Sequence, residues 1–212
     1  MLELSCKILL CYLLGSIVGS LALGRLRGVD IRKLGSGNAG ATNALRTQGI
    51  AFALAVFFID IGKGVLAATV VPGLDLTALG MPPQVDRLWL AIVCATAVVV
   101  GHVYPAWHGF RGGKGAATLA GVLIGLKPEA LPPVLAVWLL VVVLSGFVGL
   151  ATLCAVAAFP GYLVLTRQGA SPLLTFGIAM FVLVLYTHRG NVVRMLRGTE
   201  HRTKRFWLPR TR

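Results

Sequence analysis

Apolar residues gather in long, nearly continuous runs along this chain. They do not show the alternating or three-and-four spacing of a fold that faces water on one side. The runs cover residues 4–23, 50–71, 88–104, 131–144, 148–165 and 173–186. A helix needs about 20 apolar residues, at 1.5 Å each, to cross a bilayer. Each run therefore predicts a membrane-crossing helix. A further run, 116–126, is short for this task and predicts either a half-buried helix inside the bundle or a thinned crossing. Counting it gives seven crossings in an all-α, polytopic integral membrane protein. The first run continues to Leu23 without an Ala-x-Ala cleavage signal, so it reads as a retained helix. No repeat or low-complexity segment interrupts the pattern, and one membrane-embedded domain over residues 1–212 is expected.

Composition agrees with the pattern. Mean hydropathy is +0.83. Only 13% of residues are charged, against about 25% in ordinary soluble domains. The net charge of +13 comes from 20 Lys and Arg against 7 Asp and Glu. In a soluble chain it would suggest nucleic acid, but no nucleic-acid module is visible, so that partner is excluded. The cations instead flank the apolar runs. Residues 24–49 hold Arg25, Arg27, Arg32, Lys33 and Arg46 against one acid, Asp30. Residues 108–115 hold Arg111 and Lys114, and the tail from about 187 to 212 holds eight cations and one Glu. Residues 72–86 hold Asp75 and Asp86 and no Lys or Arg. Excess Lys and Arg mark cytoplasmic loops and attract anionic membrane phospholipid. With seven crossings, the three basic segments fall on the cytoplasmic side and the N-terminus outside. Cys6, Cys11, Cys94 and Cys154 all lie in apolar runs without a Cys-x-x-Cys pair. They read as small buried hydrophobes, and neither a metal site nor a cofactor is implied.

Chemistry concentrates in the three basic segments. The first contains Gly35-Ser36-Gly37-Asn38-Ala39-Gly40-Ala41-Thr42-Asn43, followed by Arg46. Glycines let amide groups converge on an anion. Ser36, Asn38, Thr42 and Asn43 add short polar groups, and Arg46 adds a fork that matches phosphate. The second contains Gly101-His102, Pro105 and Phe110-Arg111-Gly112-Gly113-Lys114-Gly115 at an expected helix start. A helix N-terminus favours phosphate, and Lys114 adds a point charge. This is not a Walker A loop. His108 stands where its first glycine belongs, and Gly115 stands where Ser or Thr must follow the Lys. His108 reads as an interfacial histidine. The third segment contains His188, Asn191 and Arg194, spaced by three on one helical stripe, then Gly198 and Glu200. Glu200, alone in a basic tail, reads as an ion-pair partner that fixes the tail. Asp60 and Lys63 fall inside an apolar run at i, i+3 and read as a mutual structural pair. Glycines four apart, Gly15 and Gly19 and again Gly121 and Gly125, read as close helix contacts.

Taken together, length, order of spans and the three motifs resemble the bacterial acyl-phosphate:glycerol-3-phosphate acyltransferases, the PlsY family. Two positions depart from the family pattern: Ala39 stands where Pro is frequent, and Thr187 where a basic residue is common. The resemblance implies a seven-helix protein of the bacterial inner membrane with its active site on the cytoplasmic side. It implies transfer of an acyl chain from acyl phosphate to the first hydroxyl of glycerol 3-phosphate, giving lysophosphatidic acid and inorganic phosphate. An enzyme that produces acyl phosphate would be its functional partner. Such a reaction needs two mutually repelling phosphates held together, one hydroxyl oriented and one oxyanion stabilised. Ser36, Arg46 and Lys114 are expected to bind phosphate, with Asn38, Thr42 and Asn43 around them. Gly112 and Gly113 are expected to bring backbone amides toward an acyl-phosphate oxygen. His188 and Asn191 are expected to position the hydroxyl or polarise the carbonyl. The proton acceptor is either His188, since imidazole titrates near 6.5, or the leaving phosphate.

Two enzyme classes are excluded. Thioester-dependent glycerolipid acyltransferases carry His-x4-Asp, and the fifth residues after the four histidines are Trp107, Gly113, Val193 and Phe206. CDP-alcohol phosphotransferases need clustered aspartates for a divalent cation, and Asp60 is the one Asp expected inside the membrane. The remaining rival is a small anion transporter, for which inverted repeats or broken helices at mid-membrane depth would be expected.

Overall fold

The computed structural model describes residues 1–169 and 171–203. All regular elements among them are helical. In order they are α1 (Leu2–Ser16), α2 (Gly19–Leu26), α3 (Ala41–Gln48), α4 (Ile50–Thr69), α5 (Arg87–Val103), α6 (Ala116–Leu126), α7 (Leu131–Ser145), α8 (Val148–Leu165), α9 (Pro172–Thr187) and α10 (Arg189–Leu196). Four stretches are long and apolar enough to cross a membrane: Ile50–Gly73, Arg87–His108, Pro128–Ser145 and Val148–Leu165. The pairs α1/α2 and α9/α10, bent by 51° and 55°, raise the number to six if each is one span. Helix α6 has 11 residues, hence a length of about 16 Å against a hydrocarbon core of about 30 Å. Length and composition thus support four to six crossings, where the hydropathy runs predict seven.

By internal contacts the chain forms two compact units, Met1–Pro128 and Glu129–Arg212. In the first, glycines bring helix backbones close together. A Cβ on Gly15 would collide with the Val98 carbonyl, and one on Gly101 with the Tyr12 carbonyl, so α1 and α5 cross tightly. Gly64 against Thr118 and Gly121 against Ile61 do the same for α4 and α6. Small residues at crossings are how helices associate where lipid removes any hydrophobic drive. At one end of this unit Lys7 pairs with Glu3 at 2.6 Å and donates to the Pro72 carbonyl at 3.1 Å.

The predicted first span, 4–23, is not one helix. It breaks between Ser16 and Gly19, and the break is closed from α4. Lys63 Nζ donates to the carbonyls of Gly15 at 2.9 Å and Ile17 at 2.7 Å. Asp60 Oδ1 accepts from the Gly19 amide at 3.1 Å. Lys63 and Asp60 also pair at 3.0 Å, both almost fully buried. Unpaired backbone groups at membrane depth are tolerated only when protein satisfies them, and this ion pair does so on both sides of the break. Serines tie the break to the loops that follow: Ser20 Oγ donates to the Ala39 carbonyl at 2.8 Å, and Ser16 Oγ accepts from the Ala106 amide at 3.2 Å.

In the second unit α8 packs against both α7 and α9, and α10 turns back onto α8 and α9. The segment after α10 returns to the α7–α8 turn. Thr203 donates through its amide (2.9 Å) and hydroxyl (3.0 Å) to the Gly146 carbonyl, and the Arg202 guanidinium lies 4.6 Å from the centre of the Phe147 ring. The rest of the basic tail, 204–212, lies outside the described residues.

Candidate functional site

Residues 24–49 of the first unit are not a plain loop. Asp30 opens a short 3-10 turn, Ile31–Lys33, by accepting from the Arg32 amide at 3.0 Å. Ile31 anchors that turn in a buried cluster with Ala44, Phe52, Ala53 and Val56. The glycine-rich stretch then winds around a single side chain, Asn43, which is 1% exposed. Asn43 Oδ1 accepts from the Ser36 amide at 2.9 Å. Its Nδ2 is within 3.1 Å of the carbonyls of Ile31, Leu34 and Asn38. Gly35 and Gly37 take positive φ, 55° and 72°, which L side chains adopt rarely. A Cβ on Gly35 would also strike Asn43. The outcome is a rigid loop that leaves Ser36 and Thr42 exposed and Asn38 half-buried. Thr42 and Arg46 share the outer face of α3, opposite Asn43 and Ala44. Arg46 is exposed.

Arg32 joins this loop to the second motif. Its Nε and Nη2 fork onto the Asp30 carboxylate at 3.0 and 2.9 Å. Its Nη1 donates to the carbonyls of His108 and Arg111, each at 3.0 Å. The guanidinium hydrogen bond holds the Asp30 carboxyl below its ordinary value, against the opposing effect of desolvation. From sequence alone Arg32 is no more than a flanking cation. The Asp two residues before it was the available signal, because that spacing suits a side-chain cap with a fork across it.

In the second motif, the Gly112 amide donates to the Val103 carbonyl at 3.0 Å and the Gly113 amide to the His102 carbonyl at 3.1 Å. Both amides are engaged at the end of α5, so neither is a free donor toward an acyl-phosphate oxygen. What the glycines provide is close approach: a Cβ on Gly113 would fall on the His102 ring, and one on Gly112 on the His102 carbonyl. Lys114 follows, half-buried, and α6 opens at Ala116 after Gly115 at φ 87°. The first amides of that helix have no intrahelical partner. Phe110 holds φ 57°, unusual for a bulky residue, with its amide bonded to the Pro105 carbonyl at 3.0 Å.

The third motif lies in the second unit. His188 is buried where α9 ends, with Nδ1 2.9 Å from the Val184 carbonyl. A carbonyl only accepts, so Nδ1 carries the proton and Nε2 the lone pair of the neutral ring. Asn191 Nδ2 donates to Glu200 Oε1 and Arg194 Nε to Glu200 Oε2, each at 2.7 Å. Glu200 thus holds the start of the tail onto α10 through the Asn191–Arg194 stripe. Among the described residues no group of three or more His, Cys, Asp or Glu could hold a metal ion, and all four cysteines are free thiols.

Fold and polar segments define an integral membrane protein, all-helical among the described residues, with cations concentrated in the polar segments that flank its apolar helices. The chain belongs to the glycerol-3-phosphate acyltransferase family, whose model matches residues 6–198. A glycerol-3-phosphate acyltransferase of Chlorobaculum tepidum is 38% identical over 95% of this chain and 97% of its own length. The crystal structure of PlsY (YgiH), an integral membrane glycerol 3-phosphate acyltransferase, in its glycerol 3-phosphate form is similar with a TM-score of 0.82. Identity is 33%, over 95% of this chain and 96% of that one. Its lysophosphatidic acid form gives a TM-score of 0.81 with the same identity and coverage.

Proposed function

We propose that this protein transfers a fatty acyl group from acyl phosphate to the 1-hydroxyl of glycerol 3-phosphate. The observation that carries the reading is the loop built on Asn43 and latched by Arg32 to the Lys114 segment, within a family of glycerol-3-phosphate acyltransferases. The relatives act, by name, on glycerol 3-phosphate, and one solved structure is in the lysophosphatidic acid form. In the proposed step the hydroxyl oxygen attacks the acyl carbonyl carbon and a tetrahedral oxyanion forms. The bond from that carbon to the phosphate oxygen then breaks. Lysophosphatidic acid and inorganic phosphate leave, and the hydroxyl proton passes to His188 Nε2 or to the departing phosphate.

The mixed anhydride is already activated, so the chain need supply no covalent nucleophile. Its task is to hold charge and orient groups. Ser36, Arg46 and Lys114 are assigned to phosphate, with Thr42, Asn38 and the first amides of α6 in support. Asn43 serves by fixing the loop. Asn191 and His188 are assigned to the reacting hydroxyl and carbonyl, and Glu200 to holding Asn191. The three basic segments are assigned to the cytoplasmic side of a bacterial inner membrane, where the positive-inside rule puts them. An acyl-phosphate-producing enzyme would supply the donor.

A transporter reading gains two bent helix pairs from the structure, of which the first span is broken beside buried charges. The carbonyls of Gly15 and Ile17 at that break, however, are taken by the Lys63 ammonium rather than left for a travelling ion. Purified protein given acyl phosphate and glycerol 3-phosphate should form lysophosphatidic acid. No product, together with phosphate movement across liposomes containing the protein, would overturn the assignment.

A further inference from the structure

Three of the buried titratable groups left over from the proposed chemistry form one connected cluster. Asp60, Lys63 and His102 are 1%, 4% and 2% exposed. His102 Nδ1 lies 2.8 Å from Lys63 Nζ and 3.4 Å from Asp60 Oδ1. An ammonium only donates, so Nδ1 accepts from it and the ring proton sits on Nε2. The imidazole is thereby gripped on one edge by a pair that also closes the break in the first span. Its other edge meets the Gly112–Gly113 backbone: a Cβ on Gly113 would overlap Nε2 and lie 3.0 and 3.2 Å from Cε1 and Cδ2. The His102 carbonyl takes the Gly113 amide at 3.1 Å. Ring and carbonyl of one residue therefore shape the loop that leads into Lys114.

We propose that Asp60, Lys63 and His102 are positioning residues: the ion pair locks the His102 ring, and the ring is the template on which Gly112 and Gly113 lie, setting Lys114. This rests on the phosphate-binding role of Lys114 proposed above. The three residues touch no substrate. They act on the loop, and the ring must be both present and immobile. The same pair fixes α2 at Gly19, and Ser20 of α2 holds Ala39. One buried cluster thus connects to both glycine loops of the first unit.

The test is a pair of substitutions on the full chain in detergent. Gly113→Ala drives a methyl into the ring and should lower kcat/KM for glycerol 3-phosphate about 100-fold, as small misplacements near a reacting group do. His102→Asn keeps an acceptor for Lys63 but vacates the volume under Gly113. Combined with Gly113→Ala it should recover at least about tenfold of the loss, a coupling expected only of residues in contact. Multiplicative losses would place Gly113 directly on the substrate and overturn the template. Hydrogen exchange reads the claim without activity. In His102→Asn alone the Gly112 and Gly113 amides should exchange at least about tenfold faster at unchanged global protection. Unchanged exchange would overturn the proposal even if the protein proved to be no acyltransferase. Failure of wild-type turnover would touch only the functional assignment.

Discussion

Asn43 gives its entire side-chain amide to backbone, one acceptor to Ser36 and the donors to Ile31, Leu34 and Asn38. The residue types of the glycine-rich stretch suggest anion-binding chemistry from sequence alone. The division of labour was not legible there, because it depends on which short polar side chain the fold buries. Ser36, Thr42 and Arg46 remain on the outside, where a phosphate could reach them. A charge-assisted hydrogen bond contributes about 1.5–3 kcal/mol, so Arg46→Ala should raise the KM for a phosphorylated substrate by roughly 10- to 100-fold. Steady-state kinetics showing both KM values unchanged would remove Arg46 from the site. His188 offers a second residue-level test. Its Nδ1 proton is committed to the Val184 carbonyl, which leaves Nε2 as the basic atom. If that atom takes the hydroxyl proton, His188→Gln should lose about 100- to 10,000-fold in kcat at every pH. A loss of only a few-fold would assign the proton to the departing phosphate.

At the scale of elements, hydropathy found the helices that are continuous, such as α4 and α8, nearly to the residue. It missed the break in the first span because the side chains stay apolar through Ile17 and Val18 while the backbone turns. The readable signals were the Gly15-Ser16 and Gly19-Ser20 pairs, and the Asp60 and Lys63 charges that needed partners at that depth. Helix α3 was missed inside a stretch judged only by its small and polar residues. His102 was read from sequence without its partners on α4, which only the packing of α4 against α5 supplies. The Asp30–Arg32 latch gives a pH prediction. Asp30 titrates below its ordinary value because of the Arg32 hydrogen bond. A lowered carboxyl stabilises the fold above the unfolded value, about 3.9, and loses that contribution as pH falls through the folded value. The thermal unfolding temperature in detergent should therefore fall more steeply as pH drops below about 4 for the wild type than for Asp30→Asn. At pH 7 the pair, partly open to solvent, should differ by less than about 1 kcal/mol. Parallel curves would show that the latch carries no charge-dependent stability.

For the whole molecule, the charge of +13 on a chain with few charged residues places cations in the segments assigned to anionic substrates. A cationic surface gathers anions and is screened by salt over about 10 Å at 0.1 M. Raising ionic strength from about 0.05 to 0.5 M should lower kcat/KM for glycerol 3-phosphate several-fold and leave kcat nearly constant. A salt-independent kcat/KM would mean that the net charge serves only membrane orientation. Class and polytopic character were legible from the long apolar runs and the low share of charged residues. The number of crossings was not, because α6 is apolar enough for a crossing yet only 11 residues long.

In the proposed reaction acyl phosphate itself is the donor. Purified protein should be incubated with acyl phosphate labelled in its phosphate and with glycerol 3-phosphate, without coenzyme A or carrier protein. One labelled inorganic phosphate should be released for each lysophosphatidic acid formed. Product that appears only after a thioester donor is added, or phosphate release without lysophosphatidic acid, would contradict it.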